Sequence, residues 1–162
     1  MTRPALARFL RDRSGAALVE FAISLPLVLL VFAVIVESGR VFWGYQAAVA
    51  GVREASRYLA RVTPQDICIT GGSLSGMTTR VEQIVAQSVT GAGILPDRLT
   101  LVSAIPDYTC VPGPFRLDPA PVAQVTAELR IELPFSGIRQ FFGTLAVPVE
   151  TTISDTSRVF GI

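Results

Sequence analysis

The side chains able to do chemistry in this chain are few and unevenly placed. Among 162 residues there is no histidine and no lysine, so the group that most often shuttles protons or ligates zinc is missing. No nucleophile–base pair stands in a recognisable motif and no zinc-ligand spacing occurs. Gly71, Gly72 and Gly76 lack the lysine that a phosphate-binding loop requires. Asp97, Asp107 and Asp118 are dispersed and read as loop and turn residues. The sequence therefore predicts no enzyme: no catalytic residue, no metal, no cofactor and no small-molecule substrate. Three features remain to be explained: a glutamate inside an apolar stretch, a pair of cysteines, and a stripe of arginines.

The glutamate is Glu20. From Ala16 to Val36 the chain reads AALVEFAISLPLVLLVFAVIV, twenty-one residues with this single charge. As a helix this stretch is about 30 Å long, enough to cross the hydrocarbon core of a bilayer. Pro26 removes one backbone hydrogen bond and predicts a kink, which membrane helices tolerate. Half of all residues are hydrophobic and the mean hydropathy is +0.50, and this stretch is where the excess gathers.

Charge supports the same reading. Residues 1–15 hold Arg3, Arg8, Arg11 and Arg13 against Asp12, a side-chain balance of +3, while the remaining ten arginines and twelve acids balance at −2. A nucleic-acid binder would carry its basic charge on the folded domain. Here it precedes the apolar stretch, which predicts the N-terminus in the cytoplasm and the C-terminal domain outside.

Three readings compete for residues 1–36. A secretory signal peptide has a shorter apolar core ending in small residues, but here Glu37, Ser38, Gly39 and Arg40 follow the stretch. A plain uncleaved anchor leaves Glu20 unexplained, and a carboxylate at the bilayer centre costs about 2.5–3.5 kcal/mol, less near an interface. The third reading accounts for it. Cleavage after Gly15 makes Ala16 a new N-terminus and Glu20 the fifth mature residue. The new ammonium and a neighbouring subunit's Glu20 would then neutralise each other in low dielectric.

At these residues the chain resembles a known family. Ser14-Gly15-Ala16-Ala17-Leu18-Val19-Glu20-Phe21, continuing into Leu25-Pro26-Leu27, is similar to the TadE-like pseudopilins of the tight-adherence (Flp-type) pilus system. The similarity continues through Glu37-Ser38-Gly39-Arg40 and Val52-Arg53-Glu54-Ala55-Ser56-Arg57-Tyr58, and covers roughly residues 13–61. The related Flp pilins usually carry tyrosine after the glutamate, where this chain has Phe21. The resemblance implies processing by a prepilin peptidase at Gly15 and Ala16. It also implies, as partners, the inner membrane, other pilin-like subunits and the pilus assembly platform.

Beyond the apolar stretch, Val41, Tyr45, Ala48, Val52, Ala55 and Leu59 keep a helical period, and Pro64 predicts the end of the helix. A helix from Ala16 to Arg61 would be about 70 Å long. Arg53, Arg57 and Arg61 fall at i, i+4 and i+8, either a solvated face or a docking strip for an acidic partner. Residues 66–76 read as a glycine- and serine-rich loop. A second helix is expected over Thr79 to Val89, with Val81, Ile84, Val85 and Val89 on one face and Thr79 and Glu82 as its capping box.

The C-terminal half reads as strands. Leu99–Ser103 is a short one. Ala123, Val125, Ala127, Leu129, Ile131 and Leu133 alternate with polar residues, as in an antiparallel sheet with one wet face. Leu145, Val147, Val149 and Ile153 repeat the alternation, with Pro148 marking an edge. Phe135, Phe141 and Phe142 are expected in the core, with an exposed subunit-binding patch as the alternative, and Pro112 to Pro121 in a loop. Cys68 and Cys110, placed in loops, are expected to pair in an oxidising envelope, closing about 43 residues and stabilising the domain by roughly 4 kcal/mol.

The expected whole is an α+β, pilin-like chain: a basic leader (1–15), a transmembrane helix (16–36), its extracytoplasmic continuation (37–61), and a globular domain (62–162). In that domain a short helix and a small antiparallel sheet pack on the long helix. The expected function is a pseudopilin subunit in Flp-type pilus assembly. The alternative is an uncleaved bitopic envelope protein whose outer domain binds a partner or ligand.

Overall fold

The computed structural model describes residues 14–87, 99–132 and 148–161. Helix α1 spans Ser14–Val62. A four-residue helix α2 (Ile67–Thr70) and a 3-10 turn (Ser75–Met77) lead into helix α3 (Thr78–Ala86). Three strands follow: β1 (Leu99–Val111), β2 (Ala120–Ile131) and β3 (Val149–Arg158). The chain divides into two compact units, the first ending at Ser38 and the second beginning at Gly39.

In the first unit α1 is apolar on every side and almost wholly exposed, with Pro26 accommodated inside it. Leu18, Phe21, Ile23, Leu27 and Val28 all face outward. A helix that is hydrophobic all round is stable only inside a larger apolar phase, whether lipid or protein.

In the second unit the core is continuous. Ala48, Val52, Ala55 and Leu59 of α1 join Val81 and Val85 of α3, Ala104 of β1, Ala123, Val125, Ala127 and Leu129 of β2, and Ile153 of β3. The helical period of α1 and the two-residue period of β2 each bring one apolar face to this cluster. Gly51 sets the closest approach: a Cβ there would lie 2.8 Å from the Val85 carbonyl oxygen, so α1 and α3 meet nearly backbone to backbone. The helix ends at Val62, two residues before Pro64, as the sequence predicts.

The strands form an antiparallel sheet in the order β1-β2-β3. The central strand follows the predicted alternation from Ala123 to Leu129, and Ile131 is half-buried at its end. The first strand corrects an expectation. It runs on from Ser103 to Val111, because an irregularity between Leu101 and Ser103 shifts the pairing register. Inward residues are therefore odd-numbered before it (Leu99, Leu101) and even-numbered after it (Ala104, Pro106), which breaks the pattern visible in the sequence. Asp107 consequently lies on a strand and not in a loop. Proline at position 106 is tolerated because β1 is a terminal strand of the order.

Other corrections are local. Val149 is exposed at the start of β3, because alternation buries a residue only where another layer covers it. Helix α3 begins at Thr78 with Met77 as its N-cap and no side-chain cap hydrogen bond, so Thr79 and Glu82 form no capping box. The 3-10 turn runs directly into the helix and places both residues past the cap. The stretch 66–76 is not all loop, since it holds α2 and most of the 3-10 turn. Pro121 belongs to β2, where it is fully buried. Val89, Asp97, Leu133, Phe135, Phe141, Phe142, Leu145 and Val147 lie outside the described residues.

Candidate functional site

Gly15, Ala16, Glu20 and Phe21 occupy the first two turns of α1. Among the described residues, a Cβ on Gly15 would meet nothing within 4 Å. Glu20 is exposed, as are the apolar residues around it, with Leu18 at 71% and Phe21 at 60%. Ser24 stands four residues on and so shares Glu20's face of the helix. Its hydroxyl donates to the Phe21 carbonyl at 3.2 Å. Glu20 and Ser24 are the two polar residues between Ala16 and Val36, and they make one polar notch in an otherwise apolar surface. The i, i+4 spacing was visible in the sequence, although attention to Glu20 alone passes over Ser24.

The arginine stripe lies on the side of α1 turned away from the core, and Arg53, Arg57 and Arg61 are all exposed. Arg61 pairs with Glu54 at 3.4 Å, with both side chains more than half exposed. Its Nε also donates to the Arg57 carbonyl at 3.2 Å. An exposed pair of this kind contributes at most about 1 kcal/mol. Arg61 is thus held against its own helix, while Arg53 and Arg57 face solvent.

Cys68 and Cys110 are joined by a disulfide with a Cα–Cα distance of 5.8 Å. They sit in α2 and β1, and not in the loops that the sequence reading assigned them. The bond ties the α1–α3 connection to the far end of β1. Tyr108 adds to the same tie, its hydroxyl donating to the Gly72 carbonyl at 3.1 Å.

Two further contacts fix the upper half of α1 in the domain, and neither is legible in local sequence. The buried Ser56 hydroxyl reaches Asp155 Oδ2 at 2.5 Å and the Arg53 carbonyl at 2.9 Å. Ser56 and Asp155 are 99 positions apart. This hydroxyl–carboxylate contact has no imidazole to act as a base, and it anchors the helix to β3. At the helix end the Phe160 amide donates to the Ala60 carbonyl at 2.8 Å, satisfying one of the carbonyls left open by the last turn. Gln65 Nε2 donates to the Gly161 carbonyl at 2.5 Å. Gly161 lies so close to the Thr63 and Arg61 carbonyls that no side chain fits there.

These features define a class: an α+β domain continuous with one N-terminal helix that is long and apolar enough to cross a membrane. Residues 15–57 match the model of the TadE-like protein family, a segment that includes Gly15, Ala16, Glu20, Arg53 and Arg57. That family is pilus-related and structural, and the match together with the membrane-length helix suggests a membrane-anchored, pilus-associated protein. No curated protein and no solved structure matches the chain.

Proposed function

We propose that the protein is a minor pilin-like subunit, a pseudopilin, that supports assembly of a Flp-type fibre. It is stored in the inner membrane with its N-terminus in the cytoplasm and its domain on the other side. A prepilin peptidase hydrolyses the Gly15–Ala16 peptide bond, leaving a free carboxylate on the leader and an ammonium on Ala16. The observation that carries this reading is an all-apolar, exposed helix with one carboxylate five residues beyond a glycine. In lipid or in a bundle of like helices, that carboxylate is stable only beside a positive charge, and a cleaved neighbour provides one. The matched family segment supports the same assignment. Arg53 and Arg57 then remain for an acidic neighbour in the assembly.

The first test is the intact mass and N-terminal sequence of the protein from its native membrane, with and without the prepilin peptidase. A chain starting at Ala16 only when the peptidase is present is the expected result. A chain that keeps its leader in both samples leaves an uncleaved bitopic protein and moves the search for function to the outer domain. Glu20→Ala is expected to impair fibre assembly while leaving membrane insertion intact, checked by piliation and membrane fractionation. Normal piliation in that variant would refute the pairing role.

A further inference from the structure

Two adjacent exposed aromatic side chains stand at the start of the domain that begins at Gly39. Phe42 is 64% exposed and Trp43 is 78% exposed, the largest fraction of any large hydrophobic residue described. The neighbouring Tyr45 is half-buried against the core, so the aromatic character of this segment is not explained by packing alone. Adjacent residues on an α-helix point about 100° apart. A lipid layer at the level of the two rings would meet both.

Spacing along the chain agrees. Trp43 follows Val36, the last residue of the apolar stretch, by seven positions, about 10 Å on a helix. Helical side chains lean toward the N-terminus, which brings the rings nearer to that stretch. The headgroup layer adds roughly 5–8 Å on each side of the hydrocarbon core, and tryptophan is enriched there because its ring is apolar and its N–H needs a polar partner. Between the stretch and the rings, Glu37 and Arg40 carry opposite charges three residues apart and add no net charge.

We propose that Phe42 and Trp43 form an interfacial anchor that inserts into the lipid headgroup layer next to the domain. The anchor fixes the depth of the helix in the bilayer, and so the level at which Glu20 waits. The inference rests on the membrane-anchored reading of α1 but not on cleavage.

Trp43 is the chain's one tryptophan, so its fluorescence reports the site without labelling. The full chain is reconstituted in phosphatidylcholine vesicles, floated to establish insertion, and examined with lipids brominated near the glycerol or near the chain end. The expected result is a blue-shifted emission, a several-fold loss of acrylamide quenching relative to free tryptophan, and stronger quenching by the shallow bromines. Trp43→Phe should abolish the signal. Flotation with water-like emission and no bromine quenching overturns the anchor and leaves the membrane reading standing. Emission that is blue-shifted but unquenched by either lipid, and that depends on protein density, means that Trp43 is covered by another copy, which also overturns it. A chain that fails to float overturns both readings.

Discussion

Residues 16–36 and residues 44–60 belong to one helix, yet they meet the apolar requirement in opposite ways. The first stretch is built from large side chains on all faces, and they stay exposed: Leu27 is 66% exposed and Ile35 is 63%. The second uses smaller residues on one face, and they are buried: Ala48, Val52, Ala55 and Leu59 are each at 0%. Hydrophobicity alone therefore does not say what covers a helix. A one-sided stripe is matched by the chain's own sheet, whereas an all-round surface asks for a solvent or partners that the described residues do not supply. The polar residues follow the same division. Glu20 stands exposed in the first stretch, while Ser56 in the second finds Asp155 within the fold.

The sharpest way to test this comparison is to truncate one leucine in each environment. Leu129→Ala in β2 removes a fully buried side chain and is expected to destabilise the domain by about 2–5 kcal/mol. Leu27→Ala should leave the same denaturant midpoint within about 0.5 kcal/mol, measured on protein held in the same membrane mimetic. Equal losses would mean that the apolar stretch is part of the domain's core. Next in size is the disulfide. Replacing Cys68 and Cys110 together opens a loop with a sequence separation of 42 and should lower domain stability by roughly 4 kcal/mol on the chain-entropy estimate, less if the unfolded chain stays compact. A non-reducing gel in which the wild type runs no faster than the reduced form would remove the basis for this prediction.

Two glycines of α1 give the smallest and most discriminating contrast. A Cβ at Gly51 would lie 2.8 Å from a backbone oxygen of α3, so Gly51→Ala should cost about 1–3 kcal/mol by forcing the helices apart. A Cβ at Gly39 meets nothing within 4 Å, and Gly39→Ala should stabilise the helix by roughly 0.5–1 kcal/mol through propensity alone. Thermal unfolding should shift down for the first and up for the second. The same sign in both would sink the claim that only one of these positions is sterically occupied.

What could be read along the chain was whatever a single element encodes by its own period. The apolar stretch announces a helix long enough for a bilayer. Val52, Ala55 and Leu59 repeat every three or four residues, and Ala123 to Leu129 alternate without interruption. Glu20 stood out for the same reason, as a local departure from an otherwise apolar run. The strand at Leu99–Val111 was legible only up to Ser103, because a register shift after Leu101 exchanges the inward and outward positions. The start of α3 was misplaced because its N-terminus is set by the preceding 3-10 turn and not by a side-chain cap.

Residue types and spacing thus determined the membrane-length helix with its single glutamate, the two-faced central strand and the presence of a cysteine pair. Tertiary structure alone decided that α1 and α3 touch at Gly51, that Ser56 bonds to Asp155, and that the segment around Gly161 covers the end of α1. It also decided that Phe42 and Trp43 are left outside the core that takes in Tyr45. The physical reason is range. Periodicity reports the side on which one element is apolar, whereas contacts between residues as far apart in sequence as 56 and 155 depend on which elements share a core.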